Sequence, residues 1–385
     1  MRRRTGLRLG TGVAAGLVVV TLALRFGPAV MLSLNLALPA TEAWLSPVLA
    51  EPVREDIVIV SAARRIPADL YRPAKPRAAL LIVHGLSRAG RRHPDLVRLA
   101  RLLGQHGQLV LVPELEGLVQ FALTGTEVED IGAALRDLAA RGHAVGIAGF
   151  SFGAGPALLA AADAPEVRIV GSFGGYADLA NVIAYVTTGV HSFHGKRYAQ
   201  RQEEYNRWKL LALLAAILET EPDRRTLSAV ATRRLADPAS DTRELEAQLG
   251  RDGRAVLRLT RNRDEHSVAA LLVALSPGAR RMLERLSPLA VVPRLRGRLL
   301  IAHGEADDSI PFTESLRLAE TAGGRARLAI LHTFHHTGPR PVWQSLRERV
   351  GDGWSLMRIA DGLLQPICID AVEPGKIYEL CLLAV

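Results

Sequence analysis

A chain of 385 residues with 49% hydrophobic and 23% charged content is long enough to bury a sizeable core and carries none of the bias of a disordered or fibrous protein. Its net charge of +9 is almost all arginine, spread thinly, with lysine only at 75, 196, 209 and 376. Without zinc-finger spacing, a basic-aromatic stripe or a Walker loop, that excess reads as a solvated surface and excludes a nucleic-acid footprint. Two cysteines, Cys368 and Cys381, define neither a disulfide nor a metal site.

The amino terminus is a targeting or anchoring segment, and an uncleaved anchor is the preferred reading. Met1-Arg-Arg-Arg4 and Arg8 precede an apolar tract from Thr11 to Ala40, broken by Arg25 and Pro28. About a dozen Leu, Val, Phe and Met residues at roughly −0.3 to −0.6 kcal/mol each outweigh one arginine at roughly +2.5 to +3.5, so the tract can span a membrane. Leu38, third before a cut after Ala40, argues against cleavage. The arginines ahead of the tract keep the tip cytoplasmic and send the body to the outer side. Residues 1–50 are read as this segment.

Beyond it, strand and helix patterns alternate. Residues 56–60 and 66–71 read as two edge strands, and 78–83 as an uninterrupted apolar strand covered on both faces. A helix at 94–105, a strand at 109–113, a helix at 128–140 and a strand from 144 follow, then a strand at 167–171. Such alternation predicts an α/β fold with a mostly parallel sheet and helices on both faces. From 181 to 290 it stops in favour of helical segments, one of which, 208–218, is apolar nearly all round. This stretch is read as a helical cap inserted over the sheet's carboxyl edge, dividing the core into 51–180 and 291–385. The pattern resumes with strands at 298–302 and 326–331 and helices at 313–321 and 342–363.

The stretch 144–162 carries the chemistry. An apolar strand enters Gly149-Phe150-Ser151-Phe152-Gly153 and leaves into an alanine- and leucine-rich helix. A serine at the apex of so sharp a turn is pushed clear of the sheet, and the flanking glycines let strand and helix approach. Such a serine needs a base and a group to orient that base. Asp307 lies just past the strand at 298–302, within His303-Gly-Glu-Ala-Asp307-Asp-Ser-Ile-Pro311, and is preferred to Asp308 as the acid. The last strand runs into His332-Thr-Phe-His335-His336, where His336 is preferred to His335 as the base. The backbone amides of Phe152 and of Leu86, after His84-Gly85, are the candidate oxyanion donors. His84 reads as a loop brace and His332 as packed against the sheet.

These blocks, in this order, resemble the α/β-hydrolase superfamily over residues 52–363. The opening Asp69-Leu-Tyr-Arg-Pro73 and the Ser287-Pro-Leu lead into the acid strand are similar to its dienelactone-hydrolase-like and prolyl-oligopeptidase-like members. The resemblance implies Ser151 as nucleophile, His336 (alternatively His335) as base and acid, Asp307 as its orienting partner, and no metal or organic cofactor. A serine nucleophile sets the chain apart from the dehalogenase branch and from the dienelactone hydrolases proper. The expected activity is hydrolysis of a carboxylic ester through an acyl-enzyme, on a small or lipid-like substrate, with segment 207–218 shaping an acyl pocket. Amide or peptide cleavage on the same triad, or a non-catalytic binding scaffold, are the alternatives.

Overall fold

The computed structural model describes residues 2–45, 49–62, 64–332, 334–335, 338–339 and 346–365, so Cys368 and Cys381 lie outside the described residues. Eight strands make one sheet: β1 (Val53–Ser61), β2 (Arg64–Arg72), β3 (Ala78–Val83), β4 (Gln108–Pro113), β5 (Val145–Phe150), β6 (Val167–Phe173), β7 (Arg298–Gly304) and β8 (Ala326–Leu331). Their spatial order is β1-β2-β4-β3-β5-β6-β7-β8. Neighbours from β4 to β8 are parallel, whereas β2 runs antiparallel to both β1 and β4. The sequence predicts β1 and β2 both as edge strands, but of these two β1 alone is an edge. Pro67 lies one residue outside the β2–β4 ladder, which begins at Ala68 opposite Pro113, so its missing N–H does not break the pairing.

The longer helices are α1 (Arg2–Ala37), α2 (Pro94–Gln105), α3 (Thr126–Ala139), α4 (Ala154–Ala162), α5 (Leu179–Thr188), α6 (Glu204–Ala216), α7 (Glu221–Ala236), α8 (Arg251–Arg261), α9 (Pro277–Arg285), α10 (Thr313–Ala322) and α11 (Leu346–Leu364). Because side chains alternate along a strand, β3 feeds two cores. Leu81 and Val83 join the core that holds α3 and α4, while Leu80 and Ile82 join the one that holds α1, α2 and α11.

The insertion between β6 and β7 holds α5 to α9. It also contains a two-stranded hairpin, Val190–Phe193 with Lys196–Ala199, where the sequence reading has helices. The turn between those strands places His194 and Gly195 at positive φ. Trp208, Leu211 and Leu214 of α6 are buried in the same core as Phe152 and Val182, which explains a helix that is apolar nearly all round.

One departure matters for the site. The amino-terminal segment is read from sequence as lying outside the core, yet α1 divides in two. Val20, Leu22 and Leu24 are exposed, whereas Ala29, Leu32, Ser33 and Asn35 are buried against the body. The spacing 29, 32, 36 puts one face of the helix against the sheet and α11. Ion pairs lock that face: Arg25 to Asp361 of α11, and Glu42, just past α1, to Arg98 and Arg101 of α2.

Candidate active site

Ser151 stands where β5 gives way to a 3₁₀ turn, Ser151–Gly153, that leads into α4. Its φ of 51° is a left-handed conformation that costs a non-glycine residue about 1 kcal/mol or more, and here it is held by packing on both sides. A side chain at 149 would come within 2.5 Å of the Ala154 Cα, and one at 153 would run into the His84 carbonyl oxygen. Both positions therefore require glycine if the strand, the helix and the loop after β3 are to meet. That loop lies beside the serine: a Cβ at Gly85 would sit 2.9 Å from the Ser151 Cβ.

His84 braces this loop. Its Nε2 accepts from the Leu115 amide at 3.1 Å, so Nδ1 carries the proton and donates to the Gly85 carbonyl at 2.8 Å. Burial lowers its pKa, which keeps the ring neutral and suits that arrangement. Leu86 follows in the loop and is partly buried against the main core; Phe152 is buried at the start of the turn.

Asp307 is buried in the loop after β7. One carboxylate oxygen accepts from the amides of Ser309 and Ile310 at 2.8 and 2.9 Å. The other faces His303 Nε2 at 3.4 Å and lies next to Gly174, which has a φ of 60°. His303 cannot act as the base: Nδ1 accepts from the Ser315 hydroxyl at 2.7 Å while Nε2 donates to the Ile310 carbonyl at 2.9 Å. Its ring braces the loop that carries Asp307.

Residues in the insertion also hold the acid loop, a role not legible from sequence because they lie about a hundred positions away. The Tyr185 hydroxyl donates to the Asp307 carbonyl at 2.6 Å, Gln200 to that of Ala306 at 3.0 Å and Asn206 to that of Asp308 at 3.0 Å. Asp308 offers its backbone to the insertion, and its side chain meets Ser309.

The structure thus brings Ser151 and Asp307 to one cavity of about 340 Å³. His335 has its backbone in a short strand, Phe334–His335, close to β7, and its side chain is not among those described. His336 lies outside the described residues. His332 does not pack against the sheet: its Nδ1 pairs with Asp352 of α11 at 3.2 Å and the side chain is half exposed.

The expected acyl pocket under segment 207–218 is corrected. Alongside Phe152 and α6 there is a void of only about 20 Å³, room for one water at most. The cavity that holds Ser151 lies on the opposite face of the sheet. Leu32 and Leu36 of α1, Leu99 of α2 and Ile359 of α11 form its walls.

No protein-family model and no curated protein matches the chain. Among solved structures it is similar to the esterase domain of a Rhodothermus marinus protein, with 18% identity and a TM-score of 0.44, covering 80% of this chain and 98% of that one. It is also similar to an acylaminoacyl peptidase of Pyrococcus horikoshii, at 13% identity and a TM-score of 0.48, covering 83% of this chain and 41% of that one. A third similarity is to a 2,6-dihydroxy-pseudo-oxynicotine hydrolase, at 16% identity and a TM-score of 0.47, covering 86% of this chain and 72% of that one. The eight-stranded, mostly parallel sheet with helices on both faces is the α/β architecture expected from the sequence, with Ser151 in the turn after β5 and Asp307 buried after β7.

Proposed function

We propose that the protein is a membrane-anchored serine hydrolase that cleaves a carboxylic ester through an acyl-enzyme. The observation that carries this reading is Ser151, held at a φ of 51° on the strand-to-helix turn and opening into the same cavity as the buried, amide-bonded Asp307. In this mechanism the Ser151 Oγ bonds to the ester carbonyl carbon as its proton passes to His336 or His335, oriented by Asp307. The amides of Phe152 and Leu86 stabilise the oxyanion, each worth about 3 to 4 kcal/mol. Collapse expels the alcohol, which takes the proton from histidine and leaves acyl-Ser151. Water, deprotonated by the same histidine, then releases the acid and restores the serine.

The anchor is α1, whose window Val20–Ala37 is long and apolar enough to cross a membrane. Since the helix docks on the body from about Phe26, the apolar residues that precede this point in the sequence, 11–24, cover about 21 Å of helix at 1.5 Å per residue. That is shorter than the hydrocarbon core of about 30 Å. Anchoring therefore draws the edge of the body, with exposed Val30, Leu34 and Trp44, into the lipid interface, the body being on the outer side.

The test is covalent labelling by a fluorophosphonate together with turnover of p-nitrophenyl esters. Ser151→Ala is expected to abolish labelling and to lower turnover by about 10⁶ while circular dichroism is unchanged. Ester hydrolysis at the wild-type rate by Ser151→Ala would refute the assignment.

A further inference from the structure

We propose that the groove between α1 and α11 is the acyl-chain site, so that the amino-terminal helix, and not the insertion, sets which esters are accepted. This deepens the serine-hydrolase reading and rests on it. Among the described residues lining the cavity, the only polar side chains are those of Ser151, His303 and Asp307. Away from them the walls are Leu32 and Leu36 of α1 facing Ile359 and Leu363 of α11. The Leu363 carbonyl accepts from the Gln108 side chain, at the start of β4 and so at the amino end of the parallel strands, whereas Ser151 lies at their carboxyl end. The groove therefore leads away from the nucleophile along the sheet face.

Walls of leucine and isoleucine reward methylene and methyl groups, and leave amides or hydroxyls unpaired. The chemistry selects an ester of a linear aliphatic acid, its carbonyl at Ser151 and its chain between the helices. None of the described residues lining the groove belongs to the insertion, whose own void beside Phe152 is too small for a chain. The helix that supplies one wall also carries the exposed Leu22, Leu24 and Val30, so the groove adjoins the surface proposed to meet lipid.

The experiment measures kcat/KM of the full-length protein in detergent micelles across p-nitrophenyl esters from acetate to decanoate, with fluorophosphonate labelling of Ser151 in parallel. Each methylene gathered into the groove is expected to raise kcat/KM about fourfold until the groove is full. Leu36→Trp and Ile359→Trp shorten the groove and should cut the decanoate-to-butyrate ratio at least tenfold. Leu363→Ala lengthens it and should move the optimum to a longer chain. Leu34→Trp, on the exposed side of α1, should leave the profile as it is. Labelling of Ser151 with a chain-length profile that none of the three groove variants alters would overturn the groove and leave the hydrolase standing. A folded wild-type protein that does not label would overturn the hydrolase reading, and this site with it. Should the tryptophan variants fail to fold, an unmoved optimum in Leu363→Ala would overturn the groove by itself.

Discussion

Replacing Leu32 with alanine tests whether the amino-terminal helix is part of the catalytic body. Leu32 is fully buried, at 0% exposure, in the core shared by β3, α2 and α11. Truncating a buried leucine costs about 2 to 5 kcal/mol, rising with the residual cavity. Leu32 sits on a helix docked against the body by one face, whose neighbours can relax towards the space left, so the lower part of that range, about 2 to 3 kcal/mol, is expected. If the docked half of α1 opens as a local unit, that loss speeds amide exchange over 29–37 by roughly 30- to 150-fold at about 1.4 kcal/mol per decade. Hydrogen exchange read by mass spectrometry, on wild type and variant in the same micelles, measures it. Leu24→Ala is the control, because Leu24 is 60% exposed on the same helix and should change exchange over 29–37 by less than twofold. Equal protection of 29–37 in wild type and Leu32→Ala would refute the docking and remove one wall of the proposed groove.

Two further outcomes are expected. Asp307→Asn keeps a side-chain oxygen for the amides of Ser309 and Ile310, so the loop should stay folded while turnover falls by about 10⁴ through loss of the charge that orients the histidine. Retention of more than a tenth of wild-type turnover would place the orienting acid elsewhere. The second concerns pH. Burial pushes the His106 pKa down to about 4, and its buried Nε2 has no hydrogen-bond partner among the described residues. The unfolded chain therefore takes up a proton that the folded chain refuses, so this contribution is complete above about pH 6.5 and is lost as the pH falls from there towards 4. The loss approaches about 1.4 kcal/mol per pH unit. Urea midpoints at pH 7 and pH 5 should converge in His106→Phe relative to wild type, and an unchanged difference between the two would contradict the assignment.

The α/β alternation and the serine turn were legible because local signals carry them. Continuous apolar runs such as 78–83 mark strands buried on both faces, and Gly149 is demanded by the Ala154 backbone a few residues on, whereas Gly153 answers to the His84 carbonyl far away in the chain. The placement of Asp307 in a loop beyond a strand was legible for a similar reason, since it follows directly on an apolar run. Edge and interior strands were not separable, because β2 carries a proline that the β2–β4 ladder happens to leave outside.

What sequence could not decide is which distant segment covers which face. The spacing of Ala29, Leu32 and Leu36 is compatible equally with a lipid-embedded helix and with a docked one, since both reward the same apolar side chains. Only the fold shows that α1 lies against α11 and borders the serine's cavity, while the apolar insertion packs into the core it shares with β3, α3 and α4. Likewise nothing local to Tyr185, Gln200 or Asn206 announces that their hydrogen bonds hold the acid loop. Periodicity reports that a face must be buried; the partner that buries it is a property of the assembled chain, because hydrophobic attraction is non-directional and takes its specificity from shape.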